Sequence, residues 1–171
     1  MRPFDDGGTD MRSGRAILCG VLGAVAISVV SGLVRLAGLP LGIEMFLGTV
    51  AGMAPGGGAF AVGLLMHLVI GGFFGLLYGY LFEHVWSHGG APTGVILSIL
   101  HASLLGFFLG FAPAIDPAIP SQLADPGPYF AHLGAAGVIV FFAAHALYGA
   151  IVGGGYGHVV SERQWAPTGR T

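Results

Sequence analysis

The chain is short of charge. Only 8% of its 171 residues are charged, and all six of its basic residues are arginine. A soluble domain carries about 25% charged residues because its surface must be wetted, so a water-soluble globule of this size is excluded. No basic block is present and the formal net charge is −2. A polyanion therefore has nothing to grip, and nucleic acid is not an expected partner. The single cysteine, Cys19, permits neither an internal disulfide nor a thiolate metal cluster. Disorder is excluded by the 54% of residues that are hydrophobic, because disordered chains are poor in apolar side chains. The 32 glycines follow no Gly-X-Y period, so collagen is excluded as well. An integral membrane protein remains, with the lipid bilayer as its first expected partner.

A bilayer core about 30 Å thick needs about 20 apolar residues of helix. Four stretches meet that length, at about 16–38, 59–82, 93–112 and 133–160. Their apolar runs are continuous rather than alternating, which favours helices over barrel strands. Pro40, Pro55, Pro92, Pro113, Pro117, Pro120, Pro126 and Pro128 fall between the expected spans, where a missing backbone N–H does least harm. The expected fold is all-α and polytopic, with four transmembrane helices arranged as two repeated hairpins, about 16–83 and 92–160. Tails of 1–15 and 161–171 flank this membrane domain.

Five of the six arginines lie in the two tails (Arg2, Arg12, Arg15, Arg163 and Arg170), and only Arg35 lies near the opposite end of a span. By the positive-inside rule both tails are cytoplasmic. The first span is longer than a signal-peptide core and is followed by Arg35 without a clear cleavage site, so it reads as a retained helix. The link 39–58 is apolar enough to lie in the interface or dip into the membrane. The link 113–132 is rich in Pro and Asp and reads as an ordered turn structure or a mobile loop.

A shift of 78 residues aligns the second and fourth spans. His67 then falls on His145, Gly71 on Gly149, Gly75 on Gly153, Tyr78 on Tyr156 and Gly79 on Gly157. The first and third spans align only weakly under the same shift, through Ala24/Ala102 and Gly32/Gly110. A duplicated hairpin explains this, with both copies pointing the same way. On a helix, His67, Gly71, Gly75 and Tyr78 share an arc of about 80°, and glycine at every fourth position lets a neighbouring backbone come close. Gly71, Gly75, Gly79, Gly149, Gly153 and Gly157, with Tyr78 and Tyr156, are the expected helix-packing residues. Gly106 and Gly110 offer a shorter version on the third span. Gly38, at a helix end, is expected to tolerate a larger side chain.

The spans hold no carboxylate or basic group at depth, but they do hold His67, His101 and His145. At about 1.5 Å per residue all three lie roughly 12–18 Å below the outer surface, near the midplane. They are candidate haem or transition-metal ligands, or candidates to relay protons or hold a quinone carbonyl. The alternative is interhelical polar glue, and on that reading no cofactor is bound. A weaker metal candidate is Glu83, His84 and His88, where two histidines stand four apart. Ser87, Gly89, Gly90 and Pro92 suggest that the helix has ended by then, which makes these interfacial polar residues around Trp86. Ser28, Ser31, Ser98 and Ser103 have no carboxylate nearby to complete a triad and are expected to bond back to helix carbonyls. No nucleotide-binding or hydrolase motif is present, and no enzymatic activity is expected.

The phrase His-x3-Gly-x3-Gly-x2-Tyr-Gly, HLVIGGFFGLLYG from His67 and HALYGAIVGGGYG from His145, resembles an uncharacterised family of small bacterial four-helix integral membrane proteins. The resemblance implies a four-helix fold in a bacterial inner membrane and brings no chemistry with it. Three functions follow from the residues: a structural or accessory membrane component, alone or as a homo-oligomer or in a membrane complex; a haem- or metal-binding redox module using His67, His145 and His101; or a small-solute channel or transporter lined by the glycine faces.

Overall fold

The computed structural model describes residues 11–86 and 88–165, with side chains as far as Gly157. The described chain is all-helical. Helix α1 spans Ser13–Leu36, α2 Ile43–Val50, α3 Gly57–His84, α4 Ala91–Leu109, α5 Ala112–Ile115 and α6 Gly134–Trp165. A 3-10 segment, Pro128–Leu133, leads into α6. Helices α1, α3, α4 and α6 are long and apolar enough to cross a membrane, and their boundaries fall within a few residues of those expected. The third span ends earlier than expected, at Leu109, and α5 forms a separate turn after it.

These four helices are apolar all round, so no polar face is left to meet water. Large side chains instead cover the outside of the bundle. Leu65, Val69 and Phe73 on α3 are 62–65% exposed, and Ile96, Leu100 and Leu104 on α4 are 59–63% exposed. Such a belt would aggregate in water and suits a lipid solvent. The protein is a multi-pass membrane protein by this architecture.

Glycine sets which helices touch. A Cβ on Gly75 would lie 2.3 Å from the Ala16 carbonyl oxygen, one on Gly20 would lie 2.2 Å from that of Gly71, and one on Gly71 would lie 2.5 Å from the Ala24 Cβ. Backbones of α1 and α3 therefore meet directly. In the second hairpin a Cβ on Gly153 would lie 2.2 Å from the Gly90 oxygen, and one on Gly94 would lie 2.0 Å from that of Gly149. A Cβ on Gly149 would lie 2.4 Å from Ser98 Oγ. Ala16, Gly20 and Ala24 on α1 thus stand where Gly90, Gly94 and Ser98 stand against α6. These two sets of contacts are 74 residues apart on α1 and α4, whereas Gly71 and Gly75 are 78 residues from Gly149 and Gly153. Gly157 continues the second face against Gly89 and Gly90. Gly79 packs against Ala16 and the Tyr156 ring. Gly106 and Gly110 bring no second helix backbone close: Gly106 receives the Tyr129 ring and the Phe141 ring of α6, and Gly110 lies against Pro128 of the 3-10 segment.

Helix α6 also packs along α1, whereas α3 and α4 make no extended backbone approach. The bundle is therefore tight on three sides and bridged by side chains on the fourth. One apolar cluster, with Tyr78, Phe82, Tyr148, Val152 and Tyr156, fills the end at which α1 begins and α3 finishes. A second, with Leu41, Leu109, Ile119, Phe130 and Phe141, fills the end that carries the links.

The links form an ordered cap over that second end. Helix α2 lies against α3, with Gly48 on Ala59 and Gly63 on the Glu44 carbonyl. Glu44 is fully buried and pairs with Arg35 Nη1 at 2.9 Å. That guanidinium also donates to the Leu41 carbonyl at 2.7 Å and lies over the Phe60 ring. Asp116, also fully buried, accepts from Thr49 Oγ1 of α2 and from the Ala118 N–H. The 113–132 link is thus an ordered turn structure, tied to the other link by a buried carboxylate.

Candidate functional site

Between the two apolar clusters lies a cavity of about 270 Å³, walled by α1, α2, α3, α4 and α6 and closed on the link side by Ile115 and Phe130. His67, His101 and His145 all line it. The shared depth read from the spacing is realised, with three helices presenting one imidazole each to one space. No charged side chain is among the lining residues, and most of the wall is aliphatic or aromatic.

Each ring is oriented through Nδ1. His67 Nδ1 is 3.0 Å from Ser28 Oγ on α1, so this hydroxyl does not bond back to its own helix as expected. The imidazole one helix away offers it a partner outside the α1 ladder. Ser98 and Ser103 do bond back, to the carbonyls of Val95 and Ile99. His101 Nδ1 is 3.1 Å from the Tyr78 hydroxyl of α3. His145 Nδ1 donates to the Phe141 carbonyl one turn earlier at 2.8 Å.

Aromatic contacts fix the ring planes. Phe74 stacks on His101 with centroids 3.8 Å apart, and this pair spans the seam between α3 and α4. His101 and His145 meet edge to face at 5.5 Å. Phe141 lies 4.4 Å from the His145 ring. Tyr148 occupies the room left by Gly23 and donates its hydroxyl to the Gly71 carbonyl at 2.6 Å. That carbonyl belongs to the α1–α3 glycine face, so the bond ties one hairpin to the other.

The tautomers follow from the partners. A carbonyl can only accept, so His145 carries its proton on Nδ1 and presents Nε2 as an acceptor. The Tyr78 hydroxyl is buried with His101 Nδ1 as its hydrogen-bond partner, so it donates there and His101 carries its proton on Nε2. That Nε2 is buried and has no hydrogen-bond partner among the described residues. A stranded buried donor costs about 1–3 kcal/mol.

The second candidate cluster is not assembled. Helix α3 ends at His84, and His88 lies beyond it, exposed, in the link to α4. His84 stacks on Tyr80 and donates Nδ1–H to the Tyr80 carbonyl, while Glu83 accepts from the Tyr156 hydroxyl of α6. Among the described residues no group of three or more His, Cys, Asp or Glu is arranged to hold a metal ion. Arg15 donates twice to the Gly155 carbonyl, at 3.0 and 2.9 Å.

Spacing alone did not reveal the Arg35–Glu44 pair or the Asp116–Thr49 bond. One signal was available for the first: Arg35 is the only arginine outside the tails, and Glu44, nine residues later, is the only acidic residue of its link. No family model matches the chain, and neither a curated protein nor a solved structure matches it.

Proposed function

We propose that this protein is a non-enzymatic accessory component of a bacterial inner membrane, built by duplicating a helical hairpin, with both tails in the cytoplasm. The observation that carries this reading is the matched set of close contacts in the two hairpins. Ala16, Gly20 and Ala24 meet Gly71 and Gly75 as Gly90, Gly94 and Ser98 meet Gly149 and Gly153. The repeated motif of the bacterial four-helix family that the chain resembles falls on these faces. Its histidines and tyrosines then serve as polar ties inside a lipid-facing bundle, as Ser28–His67, Tyr78–His101 and Tyr148–Gly71 do.

Reporter fusions test the topology. Fusions at Asp10 and Arg170 should both read cytoplasmic, and one within 116–125 should read periplasmic. Tails that report opposite sides would remove the four-span arrangement with its paired hairpins.

A second reading makes His67, His145 and His101 ligands of a haem or transition metal. What favours it is that His145 donates Nδ1–H to the Phe141 carbonyl and keeps Nε2 as an acceptor, the arrangement by which ligand imidazoles are usually oriented toward a metal. The measurement is the absorbance spectrum and metal content of detergent-purified protein. A stoichiometric Soret band or bound metal, lost in His67→Ala or His145→Ala, supports the ligand reading. Colourless, metal-free protein supports the accessory reading.

A further inference from the structure

We propose that the midplane cavity is a binding site for an uncharged lipid with a flat, carbonyl-bearing head, the chemistry of a membrane quinone. This goes beyond an accessory role, and it starts from the space itself. A volume of about 270 Å³ is far larger than a packing defect, since protein interiors leave few voids bigger than a water molecule. Apolar walls give water few partners, and cavities of this kind take up apolar molecules instead.

The chemistry of the wall narrows the occupant. No cation lines the cavity, so a fatty-acid carboxylate or a phospholipid phosphate would enter without a counter-charge, at a cost of several kcal/mol or more. Arg35, the nearest basic group at that end, is committed to Glu44 and the Leu41 carbonyl. The polar features are neutral. His101 Nε2–H is a buried donor without a partner, and His145 Nε2 is an acceptor on a ring 5.5 Å away. A quinone carbonyl satisfies the first, and the hydroxyl of the reduced form can donate to the second. Phe74 already stacks on His101, and Phe108 and Phe141 stand in the same wall, so a planar head finds aromatic faces to lie against.

Access is from the lipid. Phe108 and Ile115 line the cavity and are also 55% and 57% exposed, so a single layer of side chains separates the space from lipid beside the end of α4. On that side α3 and α4 are bridged by side chains rather than by packed backbone. A ligand dissolved in the bilayer reaches the histidines without crossing the Arg35–Glu44 cap.

The test uses the full-length protein in detergent micelles. Decylubiquinone and menaquinone-4 are titrated by equilibrium dialysis, with hexadecanol and palmitate as uncharged and charged apolar controls. At least one quinone is expected to bind saturably, and the two controls are not. Ala144→Phe places a ring in the cavity from a buried lining position and is expected to abolish binding. His101→Phe keeps a ring against Phe74 but removes the donor, and is expected to weaken binding about tenfold, the worth of one hydrogen bond. Failure of both quinones to bind the wild-type protein overturns the proposal. So does hexadecanol binding as tightly as the quinone, or quinone affinity unchanged by His101→Phe.

Discussion

Replacing glycine by alanine within a helix ordinarily stabilises it, by about 0.5–1 kcal/mol. In this protein the sign should reverse at Gly75 and Gly153. A Cβ on Gly75 would stand 2.3 Å from the Ala16 oxygen and 2.8 Å from Gly20 Cα; on Gly153 it would stand 2.2 Å from the Gly90 oxygen. Both obstacles are backbone, so no side chain can swing aside. The helices must separate by about 1 Å to restore ordinary contact, forfeiting part of the dispersion along the face. Overpacking of this kind costs about 1–3 kcal/mol. Gly14, exposed near the start of α1, is the control, because a methyl group there would meet nothing within 4 Å. Gly38 is unsuitable for that purpose, although its place at a helix end suggests tolerance. Its φ of +94° strains any residue with a Cβ. The assay is thermal unfolding of the three alanine variants in one detergent, followed by circular dichroism. Gly75→Ala and Gly153→Ala should each melt below Gly14→Ala, and leucine at the same sites should lower the melting point further. Equal melting points for all three alanine variants would show that the helices are not held by backbone contact at these glycines.

Three other outcomes are expected. Arg35→Met should destabilise the protein by about 3–5 kcal/mol by leaving the fully buried Glu44 carboxylate unpaired, and adding Glu44→Leu should recover most of that loss; chemical unfolding of the single and double variants measures both. Tyr148→Phe removes the tie to the Gly71 carbonyl and should cost about 0.6–2 kcal/mol in the same unfolding assay. A double-mutant cycle of Ser28→Ala with His67→Ala should give a coupling of about 0.6–2 kcal/mol, and a value near zero would mean that their contact does not hold α1 to α3.

Much of this architecture was legible in the sequence because a bilayer simplifies the problem. Backbone groups in hydrocarbon must be satisfied within the segment, so long apolar runs can only be helices, and the lengths of α1, α3, α4 and α6 follow. The glycines of α3 and α6 were legible for the same kind of reason: at four-residue spacing they make one stripe whatever lies opposite. The common depth of His67, His101 and His145 needed only the rise of a helix.

What lies across each stripe was decided by tertiary structure. Nothing local to α1 marks Gly20 as the partner of Gly71, or Ser28 as the partner of His67, because contacts between segments depend on register and rotation and not on spacing. Gly106 and Gly110 have helix-packing spacing, yet they receive the Tyr129 ring and Pro128, since the 3-10 segment reaches that face first. The charges behave alike. Arg35 reads as a topology signal and Asp116 as a loop residue, but the folded links bury Glu44 against the one and close the other under Thr49. The cavity is the furthest from the sequence, because a void is a property of five helices failing to fill a space together. Composition could supply three imidazoles at one level; only the packing of α1 on α3 and α4 on α6, with α3 and α4 held apart, leaves room between them.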